Sequence, residues 1–457
     1  MKEVTDPDTQ KGITKDELLA KARKPGEDAK ILHAFYRGKV EVVPRCCVRG
    51  FDDLAIWYTP GVAEPCKIIR DDRELSYALT SRWNTIAIIS DGTRILGLGD
   101  IGPEAGLPVM EGKSLLFKYL GGVDAVPLCL GTKDPDKLIE TVKYLQPSFG
   151  GINLEDISQP KCFYILDRLR NECEIPVWHD DQQGTATVVV AAAINASKLV
   201  GKKMDEMDVV LFGAGAANIA IGRVLRMAGV KMKNIVQIDS RGPLHPGRKD
   251  IEAEKDAFRE KWILCEKSNG KGALTIEDAF RGADMVIAAS KPGPDTIKKE
   301  WIRLMNDKPI VFATANPVPE IWPWDAKEAG AYIVATGRSD FPNQVNNSLG
   351  FPGIFRGTLD VKARGITDEM CISAAYELAE TAENRGLTPD YILPRMDEWE
   401  VFPREAVAVG LKAIEQGLAR EKPSRNELKE RAESIISRAR KLTGWMMKHG
   451  FIPSPPI

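Results

Sequence analysis

Between residues 200 and 340 one rhythm governs the chain: a short, mostly apolar run, then a helix-length stretch of mixed character. The runs are Val209–Phe212, Ile235–Ile238, Met285–Ala289, Ile310–Ala313 and Tyr332–Ala335. Runs this short and this apolar read as strands buried on both faces. Strands alternating with helices predict a parallel sheet with helices packed on both sides. That rhythm excludes an all-helical bundle and a β-sandwich. At 457 residues the chain is too long for one ordinary core and should divide into two domains.

The first of these runs opens directly into Gly213-Ala214-Gly215. Glycines let the backbone approach a pyrophosphate, and the free N–H groups of the helix starting near Ala216 favour its charge. Asn218 stands where a third glycine is usual, so it either widens the turn or takes phosphate itself. The next run ends at Asp239, an acid placed to bind the ribose hydroxyls of NAD. Its distance from Gly213 exceeds the usual ~20 residues. Ser240-Arg241 follow, and they can instead hold a 2′-phosphate, so NADP stays open and NAD is favoured.

Upstream, two adjacent acidic pairs stand out, Glu155-Asp156 and Asp180-Asp181. Each follows a short strand-like stretch, Gly150–Leu154 and Pro176–His179. Adjacent carboxylates repel unless a cation or a shared proton compensates. Mg²⁺ and Mn²⁺ prefer such oxygen ligands. Helix capping and solvated loops are the competing explanation for any single pair. The polar run His179–Thr185, set just before a long apolar helix, argues against it. His179 reads as a hydrogen-bond neighbour of the acids rather than a ligand.

Further features complete the expectation. Thr85–Ser90 reads as a buried strand ending at Asp91-Gly92, with Ile95–Leu98 as its hairpin return. Ala125–Leu130 is another apolar run. Thr14-Lys15-Asp16-Glu17 reads as a capping box. Beyond residue 422, Leu428, Ala432, Ile435, Ala439 and Leu442 recur at helical spacing and predict one amphipathic helix packed on its own domain. With 63 basic and 65 acidic residues, no charge excess points to nucleic acid or an anionic membrane. The polar N-terminus shows no signal peptide, and the most apolar stretch, Thr185–Leu199, is too short to span a bilayer. Eight scattered cysteines suit reduced, mostly buried thiols in the cytoplasm, with Cys66 and Cys129 in the core.

Several segments together resemble the malic enzymes, which oxidatively decarboxylate malate to pyruvate. They are Tyr58–Cys66 (YTPGVAEPC), Met110–Lys113 (MEGK), Leu154–Asp156, Asp180-Asp181, Thr314–Glu320 (TANPVPE), Asn343–Asn347 and Gly350–Gly357. The resemblance runs from about residue 30 to about 420, and the length is similar to the smaller, prokaryote-type members. It implies that Glu155, Asp156 and Asp181 hold Mg²⁺ or Mn²⁺, with Asp180 positioning the centre. It implies Lys113 as general base, its pKa lowered by burial beside a cation, and Tyr58 as general acid. Arg94, Asn316 and Asn347 would bind the substrate. Gly213, Gly215, Ala216, Asn218, Asp239 and Asn316 would bind the nucleotide. Without the resemblance, the favoured reading is Tyr58 as a core aromatic, Lys113 as a solvated first-turn residue and Arg94 as a surface charge. The chain departs from the family at Asn218 and at Gln183, where many relatives carry histidine. Cys46-Cys47 match no functional pattern.

The expected fold class is α/β: a doubly wound parallel-sheet dinucleotide-binding domain plus a second α/β catalytic domain completed by C-terminal helices. The resemblance implies a catalytic domain at 1–178, a dinucleotide domain at 179–346 and a mostly helical segment, 347–457, returning to the first. It also implies a malate- and pyruvate-handling homodimer or homotetramer.

Overall fold

A computed structural model describes residues 15–256 and 258–457. Among these, ten strands form two sheets. The first holds β1 (Thr85–Ser90), β2 (Asp124–Cys129), β3 (Gly151–Leu154) and β4 (Val177–His179). Its order is β2-β1-β3-β4, parallel throughout. The second holds β5 (Val209–Phe212), β6 (Ile235–Asp239), β7 (Gly242–Pro243), β8 (Met285–Ala288), β9 (Ile310–Ala313) and β10 (Ile333–Thr336). Its order is β10-β9-β8-β5-β6-β7, parallel except for the two-residue β7, which runs antiparallel on the edge. The mixed α/β class and the parallel sheets agree with the sequence rhythm.

Alternation along each strand shows why the runs are apolar throughout. Ile86 and Ile88 face Phe117, Phe351, Phe355 and Val409. Ala87 and Ile89 face Leu138, Val142, Ile165 and Leu169 on the other side. In the second sheet, Val209 and Leu211 pack on the helix Thr185–Val200, while Val210 packs with Phe280 and Trp301. Burying each such side chain is worth about 1.5–3 kcal/mol, so both faces of both sheets hold the fold.

The helices Phe351–Asp360 and Val401–Glu415 return to cover one face of the first sheet. The helix Arg425–Lys448 packs on the chain's own helices, as expected, but Ile436 rather than Ile435 is fully buried beside Leu428, Ala432 and Ala439. Ile435 instead lies against Gly122.

Two further expectations need correcting, on Ile95–Leu98 and on the cysteines. Ile95–Leu98 is not a return strand; only an isolated bridge joins Ile95 to Gly99. Both edges of β1 are already taken by β2 and β3, so no edge is open to a hairpin partner. Cys66 is exposed, because the helix Ala63–Asp71 buries none of its residues. Cys46 and Cys47 are exposed too, and Cys129 is half-buried. The helix Lys15–Tyr36 starts where the capping box was placed, but Thr14 lies outside the described residues. Among the described residues, no helix is long and apolar enough to cross a membrane.

Candidate active site

Because β1, β3 and β4 are parallel neighbours, their C-terminal ends deliver three loops to one place. Register pairs Ile89 with Leu154 and Leu154 with His179, so Glu155-Asp156 and Asp180-Asp181 emerge side by side. Ligand sites in open parallel sheets form at such ends. Glu155, Asp156 and Asp181 each offer an oxygen within 4.8 Å of the others. Backbone bonds fix them: Glu155 N donates to Ile89 O at 2.9 Å, and Asp156 N donates to Asp181 Oδ2 at 2.8 Å. Asp156 sits in the left-handed region at φ 54°, and its Oδ1 accepts from Leu96 N at 3.2 Å.

Lys113 reaches this cluster from the helix Pro103–Gly121. It is buried, bonded to Asp180 and 3.3 Å from Glu155. Its Nζ also stands 4.5 Å above the Phe351 ring. Asp180 is held from behind by Trp178 Nε1 at 3.3 Å. Asn153 Nδ2 donates to Glu155 at 3.0 Å. Gly184 closes the wide turn after β4, and a Cβ there would lie 1.9 Å from Asp180 Oδ1.

Four carboxylates face one ammonium, a strong surplus of negative charge in a buried place. Burial first, then repulsion from Asp181, pushes Asp156 up to about 8. Burial raises Glu155 and Asp180 as well, with Lys113 pulling against it. For Lys113 burial is the largest influence and acts downward, but Asp180, Glu155 and Asp181 together outweigh it and hold the ammonium above its ordinary value. The expectation of a lowered lysine concerned the site with its cation bound; with the carboxylates uncompensated, they outweigh burial. A hard divalent cation fits this donor set, since the oxygens are gathered and Asp156 Oδ2 is buried without a partner.

His179 Nδ1 lies 3.6 Å from Asp181 Oδ2, beyond a hydrogen bond, and burial lowers its pKa. Gln183 is buried; its Oε1 accepts from His179 N at 3.3 Å, and its Nε2 faces Cys371 Sγ.

Arg94 stands at the rim with an exposed side chain, and its backbone N donates to Asp156 O at 3.0 Å. Three residues on, Gly97 presses against the second sheet's loop: a Cβ there would lie 2.3 Å from Asn316 O. The loops carrying Arg94 and Asn316 therefore meet between the two sheets. Asn347 heads the short turn Asn347–Leu349, which packs beside the turn Asp180–Gly184. Tyr58 is not brought in. It is 75% exposed, and its neighbours Phe51, Ile56 and Trp57 are exposed as well.

The glycine turn lies at the point where strand order reverses, since β6 flanks β5 on one side and β8 on the other. Gly213 has φ 104°, and a Cβ there would meet Ala289 O at 2.6 Å. Gly215 has open space around it, and the helix Ala216–Met227 begins next. This cradle fits a pyrophosphate. Asn218 does not widen the turn. Its buried amide donates to Phe212 O and Gly213 O, both at 2.9 Å, and so pins strand to helix. Asp239 lies beside the turn, because Gly213 N donates to Ile238 O at 2.9 Å.

Sequence reasoning gave no role to Phe351, Trp178, Asn153 or Gly184. Phe351 and Trp178 sat inside quoted segments, but nothing local says that a lysine 238 positions earlier in the chain stands over the Phe351 ring.

Residues 182–414 match the family description "Malic enzyme, NAD binding domain", and residues 37–134 and 131–170 match "Malic enzyme, N-terminal domain". A bifunctional malic/malolactic enzyme of Bacillus subtilis is 48% identical over 421 residues, covering 91% of this chain and 98% of that relative. An NAD-dependent malic enzyme of Geobacillus stearothermophilus is 46% identical, covering 88% and 84%. Among solved structures, the Entamoeba histolytica malic enzyme superposes with a TM-score of 0.95 at 49% identity, covering 97% of this chain and 93% of that one. The Pyrococcus horikoshii malic enzyme gives 0.84 at 50% identity, covering 90% and 95%.

Proposed function

The chain belongs to the malic enzyme family, and we propose that it oxidatively decarboxylates L-malate to pyruvate and CO₂ with a divalent cation and NAD. The observation that carries this reading is the set of buried Lys113, Glu155, Asp156 and Asp180 with half-buried Asp181 at the strand ends of the first sheet. Glu155, Asp156 and Asp181 would hold Mg²⁺ or Mn²⁺, and Gly213, Gly215, Ala216 and Asp239 would hold the nucleotide. When bound, the cation acts as a Lewis acid on the malate oxygens and the nicotinamide accepts the hydride.

Arg94 grips a malate carboxylate with its planar fork, and Asn316 and Asn347 fix the remaining oxygens. Lys113 Nζ takes the proton of the malate hydroxyl. A divalent cation held by Glu155, Asp156 and Asp181 would offset most of their charge. Asp180 alone then holds the proton on Nζ, while burial works to remove it. Asp180 and the Phe351 ring keep Nζ in place during the transfer. Tyr58 returns a proton to the carbon that lost CO₂. Its exposure among exposed apolar neighbours supports reading the enzyme as a homo-oligomer, in which a second copy would cover this surface.

The division into 1–178, 179–346 and 347–457 serves this chemistry, with the cleft between the first two excluding water when closed. A second reading, malate to lactate with the nucleotide retained, is favoured by the name of the Bacillus subtilis relative. Product analysis after incubation with L-malate, Mn²⁺ and NAD separates the two. Pyruvate with stoichiometric NADH supports the first, and lactate without net NADH supports the second. Unchanged malate sinks both.

A further inference from the structure

At the end of β6, two arginines and two aspartates form a closed set of pairs. Asp239 Oδ2 accepts from Arg248 Nη2 at 2.8 Å, and its Oδ1 accepts from Arg248 Nη1 at 3.0 Å and from Arg241 N at 2.9 Å. Arg248 then turns to Asp250, with Nε to Oδ1 at 2.8 Å and Nη2 to Oδ2 at 2.7 Å. Arg241 Nη1 donates to Asp250 Oδ2 at 3.1 Å. Arg248 and Asp239 are nearly buried, at 9% and 13% side-chain exposure, whereas Arg241 is 70% exposed.

The geometry matters for a nucleotide held at the neighbouring Gly213 turn. An ionised carboxylate offers about four acceptor positions, and three of those on Asp239 are filled. One remains for a ribose hydroxyl. A 2′-phosphate needs a free cation, and recognition by arginine is bidentate. Both arginines at this strand end are already committed, and the phosphate would also face the Asp239 carboxylate. Arg241, the residue best placed in sequence to take that phosphate, is drawn off by Asp250.

We propose that Asp250 is a specificity-determining residue: by engaging Arg241 and Arg248 it reserves this site for a nucleotide with a free 2′-hydroxyl. The proposal rests on the nucleotide reading above and deepens it. It names Asp250, which lies outside the glycine turn, as the group that keeps a 2′-phosphate out.

The test is calorimetric titration of the full chain with ADP and with 2′,5′-ADP at fixed ionic strength, for wild type and Asp250→Asn. Asparagine keeps the shape and removes the charge. Wild type should bind ADP at least tenfold more tightly than 2′,5′-ADP. Asp250→Asn should tighten 2′,5′-ADP about tenfold and leave ADP within twofold. Adding Arg241→Gln to Asp250→Asn should cancel the gain, which a general loosening of the loop would not do. Wild type preferring 2′,5′-ADP, or an unchanged ratio in Asp250→Asn, overturns the proposal. No binding of either ligand overturns it together with the nucleotide site. Malate turnover with NAD, followed alongside, reports separately on the reaction, so a wrong specificity residue is not confused with a wrong enzyme.

Discussion

Replacing Gly184 by alanine should damage the site without touching a proposed ligand or proton carrier. Gly184 has helical dihedrals, φ −65° and ψ −48°, so alanine is conformationally welcome and on propensity alone would stabilise by up to ~1 kcal/mol. The obstacle is space. The new methyl would lie 1.9 Å from Asp180 Oδ1, 2.9 Å from its Cγ and 3.2 Å from Trp178 Cζ2, so the carboxylate must move and Trp178 blocks one way out. Moving it breaks the buried pair with Lys113. Breaking such a pair costs about 3–5 kcal/mol. Glu155 remains 3.3 Å from Lys113, so the low end, about 3 kcal/mol, applies. The net loss is about 2 kcal/mol, or about 4–8 °C in Tm for a cooperative unit of 150–250 residues. A displacement of ~1 Å at Lys113 should lower malate turnover by about a hundredfold. Calorimetry and steady-state kinetics read both quantities. The control is Gly112→Ala, one residue from Lys113 with nothing near its Cβ position, which should hold or raise Tm. A Gly184→Ala protein with undiminished Tm and normal turnover would refute the assigned role of Asp180.

Three other outcomes are expected. Asn218→Ala removes three hydrogen bonds, to Phe212 O, Gly213 O and Ile287 O, but Phe212 O keeps Ala289 N and Gly213 O keeps Gln237, so the loss should be about 1–3 kcal/mol with weaker ADP binding in titration. Glu405 is buried with both carboxyl oxygens unpartnered, and burial raises its pKa well above 4.5. The folded state therefore keeps a proton that the unfolded chain releases, and stability falls as pH rises above 4.5. Glu405→Gln should flatten that fall in denaturant titrations between pH 5 and 8, and an unchanged slope counts against a neutral Glu405. Chelator-stripped protein should gain about 2.7 kcal/mol on adding Mn²⁺ at a hundred times its Kd, and Tm that ignores Mn²⁺ would contradict the proposed cation centre.

Much of this fold was readable because strands buried on both faces must be apolar at every position. That is why Val209–Phe212 and Ile310–Ala313 came out residue for residue. The acidic cluster was readable because parallel register carries two adjacent pairs to one sheet end. Contacts between distant segments were not readable. Lys113 meets Asp180 across 67 positions, and its raised pKa follows from three carboxylates that only the fold assembles. Ile95–Leu98 looked like a hairpin return because local sequence does not show that both edges of β1 are occupied. Asn218 looked like a departure in the turn, since its carbonyl partners lie five and six residues back on the turn and strand and 69 residues on in β8. Tyr58 is named by its motif alone, and nothing within one copy buries it.

The central claim is cation-dependent oxidation of malate at the Glu155-Asp156-Asp181 cluster. Its most direct test is nicotinamide absorbance with L-malate and NAD, with and without Mn²⁺, in wild type and Asp181→Ala. The account predicts Mn²⁺-dependent NAD reduction in the wild type and background rates in the variant. Reduction that needs no divalent cation, or that survives Asp181→Ala unchanged, would contradict it.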